Sequence, residues 1–161
     1  MYQRKFLSVL LSALLLLTTM GTALAAVPDT ADARLAAVEQ AAYGQEQTGA
    51  LSDRIVRLEK ELELTKGQSS MMDRVNALYN RMFDNTSAPS LMTQMNAIEW
   101  SIEHKVSMDS IQNRITVMET TINGKPATGT FQSRIDKLAT FAFGSKTVPV
   151  TQVNVPANTL V

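Results

Sequence analysis

Leu51-Ser52-Asp53-Arg54-Ile55-Val56-Arg57-Leu58-Glu59-Lys60-Glu61-Leu62 is the stretch on which the fold turns. Its apolar residues Leu51, Ile55, Leu58 and Leu62 fall at i, i+4, i+7 and i+11. That spacing draws a narrow stripe down one side of an α-helix, whereas a strand would alternate with period two. Moving along the chain in steps of 20 residues returns the same pattern. The first column reads Ala31, Leu51, Met71, Leu91, Ile111, Phe131, and the second Leu35, Ile55, Val75, Met95, Ile115, Ile135. The third is Val38, Leu58, Leu78, Ile98, Met118, Leu138, and the fourth Ala42, Leu62, Met82, Ile102, Ile122, Ala142. All 24 positions are apolar in a chain that is 45% apolar, so chance does not produce the pattern. A fixed period without insertions is the mark of a repeat architecture.

The flanks of each stripe carry helix punctuation. Thr30, Ser70, Ser90, Ser110 and Thr130 precede five stripes, where a hydroxyl can accept from the orphan N–H groups of a first turn; only Ala50 departs. Gly44, Gly124 and Gly144 close three of them, as left-handed C-caps do. Loops at 44–49, 84–89 and 124–129 fill the remainder, which predicts a helix of about 13 residues and a loop of about seven per unit. Helices this short are marginal alone. They must bury their stripes on neighbours, as tandem arrays do. A single long coiled coil is disfavoured, because 20 is not a multiple of seven and Gly49, Gly67, Pro89, Pro126 and Gly129 interrupt it. The expected fold is all-α: six tandem single-helix repeats over 26–144 packed as a helical array or solenoid-like bundle. Leu51, Ile55, Leu58, Leu62, Leu91, Ile98, Ile102, Ile111, Ile115, Ile122, Ile135 and Leu138 would form the packing core.

Charges border the stripe in two columns. In heptad terms Arg34, Arg54, Arg74, Gln94, Arg114 and Arg134 occupy g, and Glu39, Glu59, Tyr79, Glu99, Glu119 and Ala139 occupy e. Residues five apart on one helix do not face each other. Across a parallel seam, g meets the e of the next heptad, whereas antiparallel contact brings Arg toward Arg. The columns thus favour parallel contact between repeats or between chains. On the plainer reading they only solubilise the edge of the stripe, each exposed pair contributing under about 1 kcal/mol. A seven-residue loop extends to at most about 25 Å, against a helix of about 20 Å. The chain could return along a helix to start a parallel neighbour, or make antiparallel hairpins. Packing direction stays open.

The pattern Leu51-x-x-Arg54-Ile55-x-x-Leu58-Glu59, recurring as Ile111-x-x-Arg114-Ile115-x-x-Met118-Glu119, resembles tandem repeats found in uncharacterised exported bacterial proteins. It covers 30–144, with departures at Gln94 and Tyr79. The resemblance implies helical repeats in the cell envelope and no particular activity.

The N-terminus supplies an address. Arg4 and Lys5, an apolar run from Phe6 to Leu17, and Ala23-Leu24-Ala25 before Ala26 have the order of a secretory signal peptide. The apolar run is short for a bilayer's roughly 30 Å hydrocarbon layer, so residues 1–25 read as a cleaved leader and no transmembrane segment is expected in the mature chain. Cleavage would remove both basic leader residues and no acidic one, leaving 13 basic against 15 acidic side chains. That balance is no footprint for nucleic acid. With no cysteine, a disulfide framework is excluded.

Catalytic chemistry finds little material. His104 is the only histidine, stands where three other repeats place their capping glycine, and has no nucleophile motif beside it. No phosphate, dinucleotide or calcium loop appears, so neither an enzyme nor a cofactor is expected. Thioethers suit cuprous copper, yet Met71, Met82, Met95 and Met118 lie on the stripe, leaving only Met72, Met92 and Met108 for such a site. Trp100, off the stripe, is the candidate contact residue. From Ser145 the chain leaves the repeat; the tail 145–161, with Val150, Val153 and Val155, reads as an extended or disordered terminus. The functional expectation is a structural or protein-binding scaffold of the periplasm or cell surface. The alternatives are a parallel helical homo-oligomer that tethers or spaces envelope components, and a small cuprous or envelope-polymer binder.

Overall fold

The computed structural model describes residues 27–65, 69–84 and 86–148; the leader and tail residues 149–161 lie outside these. Six helices follow one another: α1 (Ala31–Tyr43), α2 (Leu51–Glu61), α3 (Met71–Phe83), α4 (Leu91–Glu103), α5 (Ile111–Asn123) and α6 (Phe131–Phe143). The 20-residue period therefore gives one helix per repeat. Thr30, Ser70, Ser90, Ser110 and Thr130 each accept from a first-turn N–H, and Ser70 forms a reciprocal capping box with Asp73. Ala50 gives α2 no side-chain cap. Gly44, Gly124 and Gly144 end their helices in the left-handed conformation, and His104 adopts it too, at φ 55°. The two middle columns of the stripe are buried in every repeat. Each such Leu or Ile contributes about 1.5–3 kcal/mol, which largely offsets the ordering of the chain.

Consecutive helices run in the same direction. After Gly44 the chain turns back along α1, and the Gln47 backbone N–H donates to Glu39, more than a turn before the helix end. Arg54, in the first turn of α2, then meets both Asp32 in the first turn of α1 and Glu39 farther along it. First turn thus lies beside first turn, and the seven-residue loop spans a helix length. Ser107 and Ala127 descend alike, donating to Glu99 and Glu119.

The repeats group in threes. Helices α1, α2 and α3 each touch the other two, as do α4, α5 and α6. The C-terminal ends of the first trio meet the N-terminal ends of the second. The Gly44 backbone faces Ser110 at the start of α5, where an added Cβ would stand 3.5 Å from the Ser110 Cβ. Tyr43 packs on Phe131 with ring centroids 5.5 Å apart, the Glu61 carboxylate accepts the Phe131 backbone N–H, and Arg81 donates to Gln132. Burial follows this layering. At the first stripe position Leu91, Ile111 and Phe131 are buried between the trios, whereas Ala31 and Leu51 are half-buried and Met71 is 47% exposed at the free end. At the fourth position Ala42, Leu62 and Met82 are buried, while Ile102, Ile122 and Ala142 are half-buried at the opposite free end. Beyond α6, Val148 is buried against the core, so the chain departs from the repeat at Ser145 but docks over its next residues.

Candidate functional site

A fixed offset organises the polar interior. Arg54 pairs with Glu39, Arg74 with Glu59, Arg114 with Glu99 and Arg134 with Glu119, each Arg lying 15 residues after its Glu. Each of these four arginines thus clasps the preceding helix. These are no solvated border: Glu39, Glu59, Glu99, Glu119, Arg54, Arg114 and Arg134 are all buried. The closest N–O distances run from 2.6 to 2.8 Å. Glu39, Glu99 and Glu119 each also accept a loop backbone N–H eight residues on, at 2.8–3.0 Å. One carboxylate therefore satisfies the returning loop and holds the next helix. The hydrogen bonds that Arg54 donates to Glu39 raise its pKa above the ordinary value, and those that Arg74 donates to Glu59 do the same there.

At Glu119, burial by itself would raise the carboxyl pKa. Hydrogen bonds from Arg134 and the Ala127 N–H, with the charges of Arg134 and Lys137, outweigh it and hold the group below the usual carboxylate value. A carboxyl depressed in the fold stabilises it fully above the unfolded pKa, about 4.3. That contribution fades as pH falls through the lower folded value. Glu119→Gln is thus expected to destabilise the protein at pH 7, with the gap to wild type closing below about pH 4. Urea titrations of both chains at pH 7, 5 and 3.5 read this out, and a gap constant over that range contradicts the assignment.

The seam is interrupted once. Between α3 and α4 the positions that would hold Glu and Arg are Tyr79 and Gln94, so both departures from the repeat fall on the same junction, where one trio passes to the next. Gln94 turns instead to the Pro89 carbonyl, 2.7 Å away. Arg34, with no preceding repeat, donates from Nε to the Pro28 carbonyl and from Nη1 to Asn76 Oδ1, and its guanidinium lies 5.8 Å from the Tyr79 ring centre. It therefore lands on the α3 positions equivalent to those that Arg114 uses on α4, Asn96 and Glu99. The first trio is closed into a ring by a cation over an aromatic face, an arrangement worth about 0.5–2 kcal/mol.

Of the other candidate residues, Trp100 is half-buried on α4, with the His104 ring set edge-on at 5.8 Å. Met92 and Met108 border one shallow cleft with Ala37, Ala41 and Phe83. Met72 stands in the first turn of α3, about a helix length from that cleft, so the three methionines do not converge. Leu51, Ile102 and Ile122 of the core set are half-buried, and the rest of that set is buried. An open cleft of about 670 Å³ at the interrupted junction is lined by Asn80, Arg81, Asp84, Gln94, Gln132 and Asp136 among others. Burial pushes the Arg81 pKa down there, opposed by Asp136. Among the described residues no three His, Asp or Glu side chains gather as metal ligands, and no helix is long and apolar enough to cross a membrane. Comparison with protein-family models, with curated proteins and with solved structures finds no match.

Proposed function

We propose that this protein is an exported, non-catalytic scaffold of the bacterial cell envelope, working through contact with other proteins. The observation that carries this reading is how its side chains are spent. Apart from Arg34, the arginines and glutamates of the two columns, the residues with most chemical capacity, pair with one another and fix α2, α3, α5 and α6 each to the helix before it. Among the residues that face solvent are the large apolar side chains Met71, Met72, Met108, Val117 and Phe141. Such side chains suit adaptable protein surfaces. The leader pattern at residues 1–25 supplies the address. A cuprous site gains no support, since Met72 lies apart from Met92 and Met108.

The test is expression in a bacterium with the natural leader, followed by fractionation and intact-mass measurement. A periplasmic or surface product beginning at Ala26 is expected. Photocrosslinking from positions 100 and 117 should then join it to a discrete envelope component. A cytoplasmic product that retains residues 1–25 sinks the envelope reading.

A further inference from the structure

We propose that the two open ends of the helical column bind each other, so that copies of this chain stack head to tail. The proposal rests on the contact-scaffold reading and names the partner as a second copy. Its first support is an interface already present in the molecule. Within one chain the C-terminal ends of α1–α3 seat on the N-terminal ends of α4–α6, and this junction buries Ala42, Leu62 and Met82 below and Leu91, Ile111 and Phe131 above. The free ends carry the same repeat positions, 60 residues removed. Ile102, Ile122 and Ala142 stand at the outer C-terminal end, half-buried; Ala31, Leu51 and Met71 stand at the outer N-terminal end, with Met72 beside them at 44% exposure. A second copy set on the column would continue the spacing that the two trios already use.

The second support is charge. Asp32, Asp53 and Asp73 occupy the first turns of α1, α2 and α3, and all three are exposed. The first turns of α4, α5 and α6, which lie inside the column, hold no acidic residue. At the opposite end Lys105 and Lys125 directly follow the caps of α4 and α5 and are exposed. The equivalent residues inside the column are Gln45 and Thr65. First-turn aspartates therefore mark one outer end, Lys105 and Lys125 stand beside Glu103 at the other, and neither set has a charged counterpart at the equivalent positions of the inner junction, whose own charges are Glu61, Glu63 and Arg81. Opposite charge on two facing surfaces steers and aligns their encounter. Helix macrodipoles would also run head to tail through such a contact.

A contact between two different faces of identical copies does not close on itself and propagates as an open chain. The Glu61 and Glu63 carboxylates that cap α6 within the molecule are replaced at the outer end by Thr121 and Asn123. The contact between copies is accordingly weaker than the internal one and reversible.

The chain has no cysteine, so single thiols report the geometry directly. Met71→Cys places one on the N-terminal end, and Lys125→Cys places one on the C-terminal end; both positions are exposed. The purified full mature chains are concentrated at low ionic strength and oxidised, separately and as a mixture. The mixture is expected to form a disulfide dimer joining one variant to the other, while each variant alone gives at least tenfold less. Sedimentation of the wild type should show mass rising with concentration without stopping at a dimer, and falling in high salt. Met71→Arg and Lys125→Glu should each remain monomeric alone. A monomer at every concentration, or disulfide dimers formed as readily by each variant alone, overturns head-to-tail stacking. Such a result leaves the scaffold reading standing, since export and crosslinking to another envelope component are measured separately.

Discussion

Arg114→Leu is expected to lose about 3–5 kcal/mol of unfolding free energy, the cost of leaving one member of a buried ion pair behind. Arg114 is 1% exposed and its partner Glu99 3%. Without the guanidinium, Glu99 keeps only the Ser107 N–H to answer its buried charge. For a small domain with about 5–15 kcal/mol in total, this is a large share. Adding Glu99→Gln should restore at least half of the loss. Glutamine is neutral yet retains an oxygen for the Ser107 N–H, and buried pairs replaced by neutral groups of similar size are often nearly free of cost. Urea unfolding of the single and double variants closes the cycle. A single variant within 1 kcal/mol of wild type, or a double variant no better than the single, would show that the seam contributes little.

The seam supplies what the apolar stripe lacks. Leu, Ile and Val pack on parallel or antiparallel neighbours with similar energy, so stripes alone leave the direction of each helix undecided. An Arg in the first turn that must reach a Glu two-thirds of the way along the preceding helix, while that Glu also accepts from the returning loop, fits one arrangement. Where the chain steps from the first trio to the second, the next helix rises from the end of α3 instead of returning beside it, and the paired charges are gone. Tyr79 is released to receive Arg34 and close the first ring.

The six helices, their caps and the buried face were legible because each depends on residues within a few positions of one another. Ala50 read as a missing cap and is one. The direction of packing was not legible, because heptad positions name possible partners and the seven-residue loop reaches either way. The layering does not follow from the repeat columns, although its signal stands in the sequence. Tyr79 and Gln94 were visible as two departures, but only the 15-residue offset between partners makes them one junction. First-turn aspartates, present in α1–α3 and absent from α4–α6, carry the same message. Met71 illustrates the limit: its column fixes the face it occupies, and a local pattern does not say that this turn lies at an open end, 47% exposed. Trp100 stands off the stripe and lies half-buried against His104, a contact that sequence spacing of four permits but does not require.

Phe131→Ala and Met71→Ala make the same kind of cut at the same repeat position, and their effects are expected to differ several-fold. Phe131 is 4% exposed at the junction of the trios, packed on Tyr43, with its N–H held by Glu61. Truncation opens a cavity that surrounding helix ends can fill only by shifting, at a cost of about 3–5 kcal/mol. Loss of the aromatic pair contributes to it. Met71 already meets solvent, so its truncation should cost under about 1 kcal/mol. Far-UV circular dichroism against urea measures both, and the slope carries further information. If the junction couples the trios, Phe131→Ala should broaden the transition or split it in two, because α1–α3 and α4–α6 then unfold on separate terms. A sharp single transition with equal losses for the two variants would place the cooperative unit elsewhere and remove the physical basis for two layers. Unequal losses would show that stability in this column is set by its layering, which repeat position alone does not reveal.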